Sequence, residues 1–523
     1  MNRREFLKTC GCAAATALRG AACLAGRRRQ PNVIFIITDD QSLDSFGFLR
    51  HKALTPNIDR LARDGIYFSR AYATSSVCTP SRYTCLTGRY ASRSTHPKFQ
   101  RGISKEGQTW VHWNADMACG EDNVAKTLRR AGYVTGIVGK LHGFELPGHS
   151  KSLRNDADPN DPAIRRILAA DQAAFAEGLD EHGFDVAQRL HRGNLQSMKN
   201  FPDALRQHNP EWAVEGALNF IEANKDKPFY LYLATTLLHG PSPLKSLKSD
   251  PRITEAGMLE TPPKVQPSRE SVLARVKAAG LPESAAPATW LDDSIGAILN
   301  KLEQLKLSED TLIVYFNDHG HEGGKGTLYE GGVRTPTIMY WPGTVVPSAC
   351  DELIANIDFV PTILSACRVV PPEGTILDGM DLMPLLTGKS THTRDSLYCE
   401  IGHTRAAITK RWKYLTFRVP PTVRQAWGND PKLRITHINR VAGGDGTERG
   451  QGLTHYAEHY FDADQLYDLQ NDPREKNNLA NQPEHEHLLR KMQDLLKSHL
   501  ARVPGTFGEF RQRPDSVAGG VLG

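Results

Sequence analysis

Nowhere in the 523 residues is there a run approaching the roughly twenty consecutive apolar residues that a membrane-spanning helix needs, which excludes a polytopic membrane protein. The nine cysteines contain no Cys-x-x-Cys pair, setting aside zinc ribbons and thioredoxin-like redox motifs. No repeat of fixed period and no long low-complexity tract is found, against solenoids, propellers and arrays. A strong excess of one charge is missing too. The formal net charge is +5, and the first 30 residues alone carry +6, with Arg3, Arg4, Lys8, Arg19, Arg27, Arg28 and Arg29 against Glu5. Without that segment the charge is −1, and with a cut near Ala25 it is +2. Neither value marks a nucleic-acid binder, whose folded domain would carry a pronounced basic excess. At 39% hydrophobic and 24% charged residues, the chain is too apolar and too evenly charged to be mainly disordered. Its length exceeds what one α/β domain of about 150 residues uses, so a large domain and a smaller one are expected.

Paired arginines open the chain in Asn2-Arg3-Arg4-Glu5-Phe6-Leu7-Lys8, ahead of a weakly apolar, alanine-rich stretch to Ala25. This resembles a twin-arginine export signal, and Arg19 within the apolar stretch suits that route better than a strongly apolar secretory segment. The expectation is export across a bacterial inner membrane, to a periplasmic or secreted location. Cys23 after Gly20-Ala21-Ala22 matches a lipid-attachment site poorly, so lipoprotein anchoring is not expected. Cys10, Cys12 and Cys23 lie in this segment; Cys78, Cys85, Cys119, Cys350, Cys367 and Cys399 do not, and spacing leaves any disulfide pairing open.

Along the body, Pro31-Asn32-Val33-Ile34-Phe35-Ile36-Ile37-Thr38 is a continuous apolar run that stops at Asp39-Asp40. A strand apolar on both faces reads as central in a parallel sheet, and ligand sites in such sheets lie at the strands' carboxyl ends. Pro56–Arg63 reads as a helix stopped by Gly65, followed by a strand over Ile66–Tyr72. Glu121–Arg130 repeats the pattern, with Gly132 and a strand over Tyr133–Val138 leading into Gly139-Lys140-Leu141-His142. Phe229–Leu238 is an apolar run ending in His239. Trp290–Leu305 has helical spacing, and Thr311–Phe316 is a strand ending in Asn317-Asp318-His319-Gly320. Four strands thus end in ionisable groups, within an alternation of helices and apolar strands that predicts a doubly wound, mainly parallel α/β sheet. From about residue 395 the pattern changes to short strands such as Arg405–Thr409 and Lys413–Phe417. Beyond them lie an irregular stretch over 418–460, a helix over Glu484–Ala501 and a loose tail. The expected organisation is a signal segment over 1–30, a catalytic domain over 31–394, and a C-terminal α+β subdomain over 395–523 packed on the edge of the larger one.

The stretch Cys78-Thr79-Pro80-Ser81-Arg82, with Leu86-Thr87-Gly88-Arg89 close behind, carries the most specific signal. With Asp39-Asp40 before it and Leu466-Tyr467-Asp468-Leu469 and Asp472-Pro473 far behind, it resembles the type I sulfatases of the alkaline-phosphatase-like superfamily. The resemblance runs over nearly all of residues 31–480. In that family the motif cysteine is oxidised by a formylglycine-generating enzyme before folding, and the aldehyde is hydrated to a geminal diol. One diol oxygen attacks sulfur and expels the alcohol; the other then loses its proton, and the C–O bond breaks to release sulfate. A serine would trap the ester, having no second hydroxyl.

The resemblance implies a divalent cation held by Asp39, Asp40, Asp318, His319 and the oxygen derived from Cys78. An oxygen-rich set suits calcium, while an imidazole at His319, where the family often has Asn, opens manganese. Arg82 would orient the diol, Lys140, His142 and Lys325 would bind the sulfate and diol, and His239 would face the leaving oxygen as general acid. The implied activity is hydrolysis of a sulfate ester, of a carbohydrate or a related alcohol; the alternative is a phosphonate monoester or phosphodiester hydrolase using the same formylglycine–metal site. Specificity would reside in segments 92–120, 144–212, 240–285 and 418–460, where the family motifs are silent. Because formylglycine is made on unfolded chain and the twin-arginine route moves folded protein, conversion is expected before export.

Overall fold

In a computed structural model, residues 30–428, 433–438, 440–442 and 458–510 are described. The expected export segment up to residue 29, with Cys23, lies outside them. Eight strands form the main sheet: β1 (Asn32–Thr38), β2 (Ile66–Phe68), β3 (Val134–Lys140), β4 (Val186–His191), β5 (Phe229–Ala234), β6 (Thr311–Asn317), β7 (Thr337–Tyr340) and β8 (Ser348–Cys350). Their spatial order is β8-β2-β7-β6-β1-β5-β3-β4. Only the two pairings made by β7 are antiparallel, so seven strands run one way and β7 alone is reversed.

The central place of β1 accounts for its unbroken apolar run. Val33, Phe35 and Ile37 enter the core on one face, while Ile34 and Ile36 enter the core on the other. The first face is covered by α2 (Cys78–Thr87), α3 (Val124–Arg130) and α6 (Phe359–Cys367), through Leu86, Leu128 and Ile363. The second is covered by α1 (Pro56–Asp64), α4 (Pro210–Ala223) and α5 (Ala286–Gln304), through Leu61, Phe220 and Ile298. This is the expected doubly wound α/β fold.

Two apolar runs are shorter as strands than expected. Ile66–Tyr72 leaves the main sheet after Phe68, where the Ser69 N–H makes the last ladder bond to the Cys350 carbonyl of β8; Ala71 and Tyr72 pair instead with Ile354 and Ala355. In Phe229–Leu238 the strand stops at Ala234, and Leu237 instead accepts the Asp39 N–H through its carbonyl at 2.9 Å and packs near Trp290. The helix expected from Glu121 starts at Val124, because the Asn123 side chain accepts the Lys126 N–H at 3.0 Å and caps it.

Beyond the main sheet, β9 (Ser396–Ile401), β10 (Thr404–Thr409), β11 (Trp412–Phe417) and β12 (Asp464–Asp468) form an antiparallel sheet in that order. The stretch 418–460 contains α7 (Pro421–Trp427) and a short ribbon, Leu433–Ile435 with Arg440–Ala442; its other residues are outside the described set apart from a few. Helix α8 (Glu486–Leu500) covers the small sheet with Met492, Leu496 and Leu500. Tyr72, Leu328 and Val333 of the larger part join the same core, so the two parts share apolar packing. The tail is not loose at its start: Val503, Phe507 and Phe510 are buried there. None of the six described cysteines is paired, and no described helix is long and apolar enough to cross a membrane.

Three buried histidines make stability depend on pH. Burial lowers His208 to about 4, His403 to about 3 and His437 to about 4, against 6.5 for an exposed imidazole. From pH 6.5 down to about 4, the unfolded chain therefore binds protons that the folded chain refuses. Stability is expected to fall across that window, by up to about 1.4 kcal/mol per pH unit for each imidazole. Urea unfolding midpoints between pH 7 and 4.5 check this; a midpoint that stays level or rises on acidification contradicts it.

Candidate active site

The four strands that end in ionisable groups are consecutive neighbours, β6-β1-β5-β3, and they are parallel. Their carboxyl ends therefore lie on one edge, bringing together Asp318-His319, Asp39-Asp40, the loop to His239, and Lys140 with His142. Asn317 ties the first two ends: its Oδ1 accepts the Gln41 N–H at 2.9 Å, and its Nδ2 donates to the Gln41 carbonyl at 3.1 Å. Asp40 takes a left-handed backbone conformation with φ 53°, which lets the chain turn directly after β1. In β3 the register shifts at Gly139, where φ is 92° and an added Cβ would stand 2.0 Å from the Ala234 carbonyl oxygen. Glycine is required there for Lys140 to reach Asp39, with which it forms a buried ion pair.

Cys78 is the first residue of α2, after the extended Val77, and is fully buried. Its Sγ lies 3.6 Å from His319 Nε2, 3.7 Å from Asp39 Oδ1 and 3.9 Å from Lys325 Nζ. The loop carrying Lys325 is fastened beside the cysteine by the Gly326 N–H, which donates to the Ser76 carbonyl at 3.1 Å. Lys325 Nζ also donates to Asp40 Oδ1 at 2.7 Å. One turn into α2, Arg82 donates to Asp39 Oδ2 at 3.2 Å and Asp318 Oδ2 at 3.3 Å, all three side chains being inaccessible to solvent. His319 Nε2 is 3.3 Å from Asp40 Oδ1, His239 Nε2 is 3.5 Å from Asp40 Oδ2, and His142 Nε2 is 3.1 Å from the Thr79 hydroxyl. Every residue expected at the site is within this one cluster.

Three acidic side chains, Asp39, Asp40 and Asp318, face three basic ones, Arg82, Lys140 and Lys325. Burial pushes the Asp39 carboxyl up, but Lys140, His239, Arg82 and Lys325 outweigh it and hold the group well below the usual carboxylate range. Asp40 is likewise opposed by burial and lowered to about 2 by His319 and Lys325. Both acids are ionised at neutral pH. Burial drives the Cys78 thiol well above its ordinary value, so the unmodified cysteine is a neutral thiol and a weak nucleophile. Burial, with Lys140 and Arg82 nearby, keeps His142 neutral.

Asp39, Cys78, Asp318 and His319 each offer a ligand atom, all within 4.8 Å of one another, and Asp39, Asp40 and His239 form a second such group. Asp318 Oδ1 is buried with no hydrogen-bond partner among the described residues. An oxygen-rich donor set with one imidazole and an unspent buried carboxylate oxygen fits a divalent cation.

Residues given no role in the sequence analysis surround the cluster. His321 Nδ1 lies 3.6 Å from Asp40 Oδ1, with 43% of its side chain exposed, on the solvent side of the cluster. Gln41 and Asn317 position the strand ends. The Ser81 hydroxyl donates to the Asp318 carbonyl, and Asn356 Nδ2 donates to Ser81 Oγ at 3.0 Å. Gln41, Asn317, His321 and Ser81 have one sequence signal, adjacency to the acids or a place in the cysteine motif, and Asn356 has none.

A doubly wound sheet with a carboxylate–imidazole cluster around a buried helix-start cysteine is the arrangement that resemblance to the alkaline-phosphatase-like hydrolases implies. The Sulfatase family model matches residues 31–369, and the chain belongs to that family of hydrolases acting on sulfuric ester bonds. An N-acetylgalactosamine-6-O-sulfatase of Bacteroides thetaiotaomicron is 27% identical over 91% of this chain and 94% of its own length. Human arylsulfatase A is 29% identical over 71% of this chain and 70% of its own. A solved B. thetaiotaomicron sulfatase, described with the metabolism of multiple glycosaminoglycans, superposes with a TM-score of 0.62 at 22% identity, covering 91% of this chain and 100% of that one. The phosphonate monoester hydrolase of Agrobacterium radiobacter shares the fold at a TM-score of 0.58 and 18% identity, covering 92% and 100%.

Proposed function

We propose that this sulfatase cleaves a sulfate ester of a carbohydrate, using Cys78 after its oxidation to formylglycine, with Asp39, Asp40, Asp318, His319 and the Cys78-derived oxygen holding a divalent cation. The observation that carries the reading is the position of Cys78 Sγ, within 4 Å of His319, Asp39 and Lys325 at the start of a buried helix. Calcium suits the carboxylates, and His319 leaves manganese as the second choice. When bound, such an ion supplies Lewis-acid polarisation of the sulfate and lowers the pKa of a neighbouring hydroxyl.

The side chains do the rest. Three carboxylates balance Arg82, Lys140 and Lys325, so a divalent ion leaves the site positive, as an anionic ester requires. Arg82 bridges Asp39 and Asp318 and holds both acids at a fixed spacing from Cys78. Lys140 and Lys325 stand on either side, ready to neutralise sulfate oxygens. His142 orients against Thr79. His239, buried beside Asp40, is suited to deliver a proton to the leaving alcohol oxygen. The helix-start position of Cys78 adds a favourable dipole for negative charge there.

The saccharide substrate is supported by the relative named for an N-acetylgalactosamine sulfate ester, which aligns over 91% of this chain. The arginine pair at the start of the chain supports twin-arginine export to the periplasm after conversion in the cytosol. Mass spectrometry of the tryptic peptide Ala71–Arg82, from the periplasmic fraction of the native host, tests conversion and export order together. Formylglycine at Cys78 is the expected result; an intact thiol in exported protein overturns the mechanism. Matched sulfate and phosphonate esters assayed in parallel are expected to favour the sulfate, and preference for the phosphonate would move the assignment to the alternative.

A further inference from the structure

Two of the segments left silent by the family motifs meet at a cavity of about 310 Å³ that contains none of the catalytic cluster. Its walls are residues 101–110 and helix α7, with the β9–β10 turn as its floor. The walls are tied together: the Thr422 N–H donates to Glu106 Oε1 at 3.0 Å, and Gln108 Nε2 donates to the Arg418 carbonyl at 2.8 Å. The cavity is therefore built in advance of any ligand.

Its floor is His403, which is 2% exposed, with both ring nitrogens lacking a hydrogen-bond partner among the described residues. The backbone around it is satisfied, His403 N–H donating to His437 and its carbonyl accepting from Arg418. Burial keeps the ring neutral, so it presents one N–H donor and one bare nitrogen acceptor. Leaving both unpaired is costly unless a ligand or water meets them. Indoles flank it: Trp110 stacks on the imidazole at 6.1 Å, and Trp427 meets it edge-on at 5.7 Å. Arg101 and Lys105 stand exposed at the rim, and neither side chain makes a hydrogen bond or ion pair among the described residues.

We propose that this cavity is a subsite for an anionic saccharide unit, one carrying a sulfate or carboxylate, belonging to the same chain whose sulfate ester is cut. The sugar face stacks on Trp427, its hydroxyls meet His403, and its anionic group meets Arg101 and Lys105. The inference rests on the saccharide reading above. Reach is compatible with it. The Ser75 hydroxyl donates to the Glu400 carbonyl at 2.7 Å, Cys78 is three residues beyond Ser75, and His403 is three beyond Glu400. Three extended residues span at most about 10 Å, so Cys78 and His403 are no farther apart than on the order of 25 Å, the span of a short oligosaccharide.

The test measures binding without turnover, in the full chain carrying Cys78→Ala. Sulfated tetrasaccharides of chondroitin, heparan and carrageenan type are titrated by calorimetry, with an uncharged dextran tetrasaccharide and inorganic sulfate as controls. At least one sulfated probe should bind, dextran much more weakly. Trp427→Ala, Arg101→Ala with Lys105→Ala, and His403→Phe should each weaken it by about tenfold or more, while leaving inorganic sulfate affinity alone. In the active chain, the ratio of kcat/KM on that oligosaccharide to kcat/KM on 4-nitrophenyl sulfate should fall by a similar factor. His403→Phe keeps the ring and removes the unpaired nitrogens, so its melting temperature should hold or rise as affinity drops. No binding by any sulfated probe, equal binding of dextran, or unchanged affinity in the variants overturns the proposal. So does a His403→Phe chain that loses stability in step with affinity, which would make the residue structural. Loss of the formylglycine mechanism would leave these binding results intact, so the two readings fail separately.

Discussion

Cys78→Ala is expected to end turnover, with kcat on a sulfate ester falling by about ten-thousand-fold or more. The fold should survive, because the change removes one sulfur atom from the start of α2 and leaves the ion-pair cluster untouched. A weaker effect is not compatible with the geometry: Cys78 is the group that meets His319, Asp39 and Lys325 together, and the neighbouring acids are occupied by Arg82, Lys140 and Lys325. Cys78→Ser sharpens the test. One hydroxyl can accept the sulfuryl group, but nothing remains to expel it, so peptide 71–82 should gain sulfate in a single turnover and then stop. Multiple turnovers by the serine chain, or an alanine chain within tenfold of the parent, would remove Cys78 from the chemistry.

Asp39→Asn is expected to cost both stability and activity. Asp39 is the carboxylate shared by Lys140 and Arg82, all with side chains at most 1% exposed. The neutral amide leaves Lys140 buried without its counter-charge, a loss of about 3–5 kcal/mol. It also takes one carboxylate from the candidate metal set, so bound divalent metal, measured by elemental analysis, should fall with activity. Asp44→Asn provides the contrast: Asp44 pairs with Arg50 and Lys52 at the surface, with 42% of its side chain exposed, where solvent screens the charges. Its unfolding midpoint should barely move. Equal effects of the two substitutions would show that the buried charge cluster is not what holds this edge of the sheet together.

Much of this edge was legible from residue order. β1 and β6 announce themselves as apolar runs cut off by Asp39-Asp40 and Asp318-His319, because a strand buried on both faces has no polar period and the ionisable groups begin where it stops. The structure adds that the cysteine motif opens helix α2, with Pro80 in its first turn and Gly88 at its end. Other features were not legible. Ile66–Tyr72 and Phe229–Leu238 read as single strands, yet Ala71 and Tyr72 pair with Ile354 and Ala355 outside the main sheet, and the Leu237 carbonyl takes the Asp39 N–H, partners that lie far away in sequence. His321 has no motif of its own, and its place beside Asp40 comes from the turn after β6.

The residue order by itself determined the doubly wound class, the chemistry-bearing types and the family to which they belong, since periodicity and short motifs are local records of burial and reactivity. Only the tertiary structure decided which charges meet. Asp39 and Lys140 are 101 residues apart, and Cys78 and His319 are 241 apart. Their contact depends on β6, β1, β5 and β3 lying side by side in parallel, a strand order that no single segment encodes. The same holds for His403, buried between Trp110 and Trp427 from three separate segments. A side chain's burial and its partners are properties of the packed layers, because they are set by what the rest of the chain brings to that place.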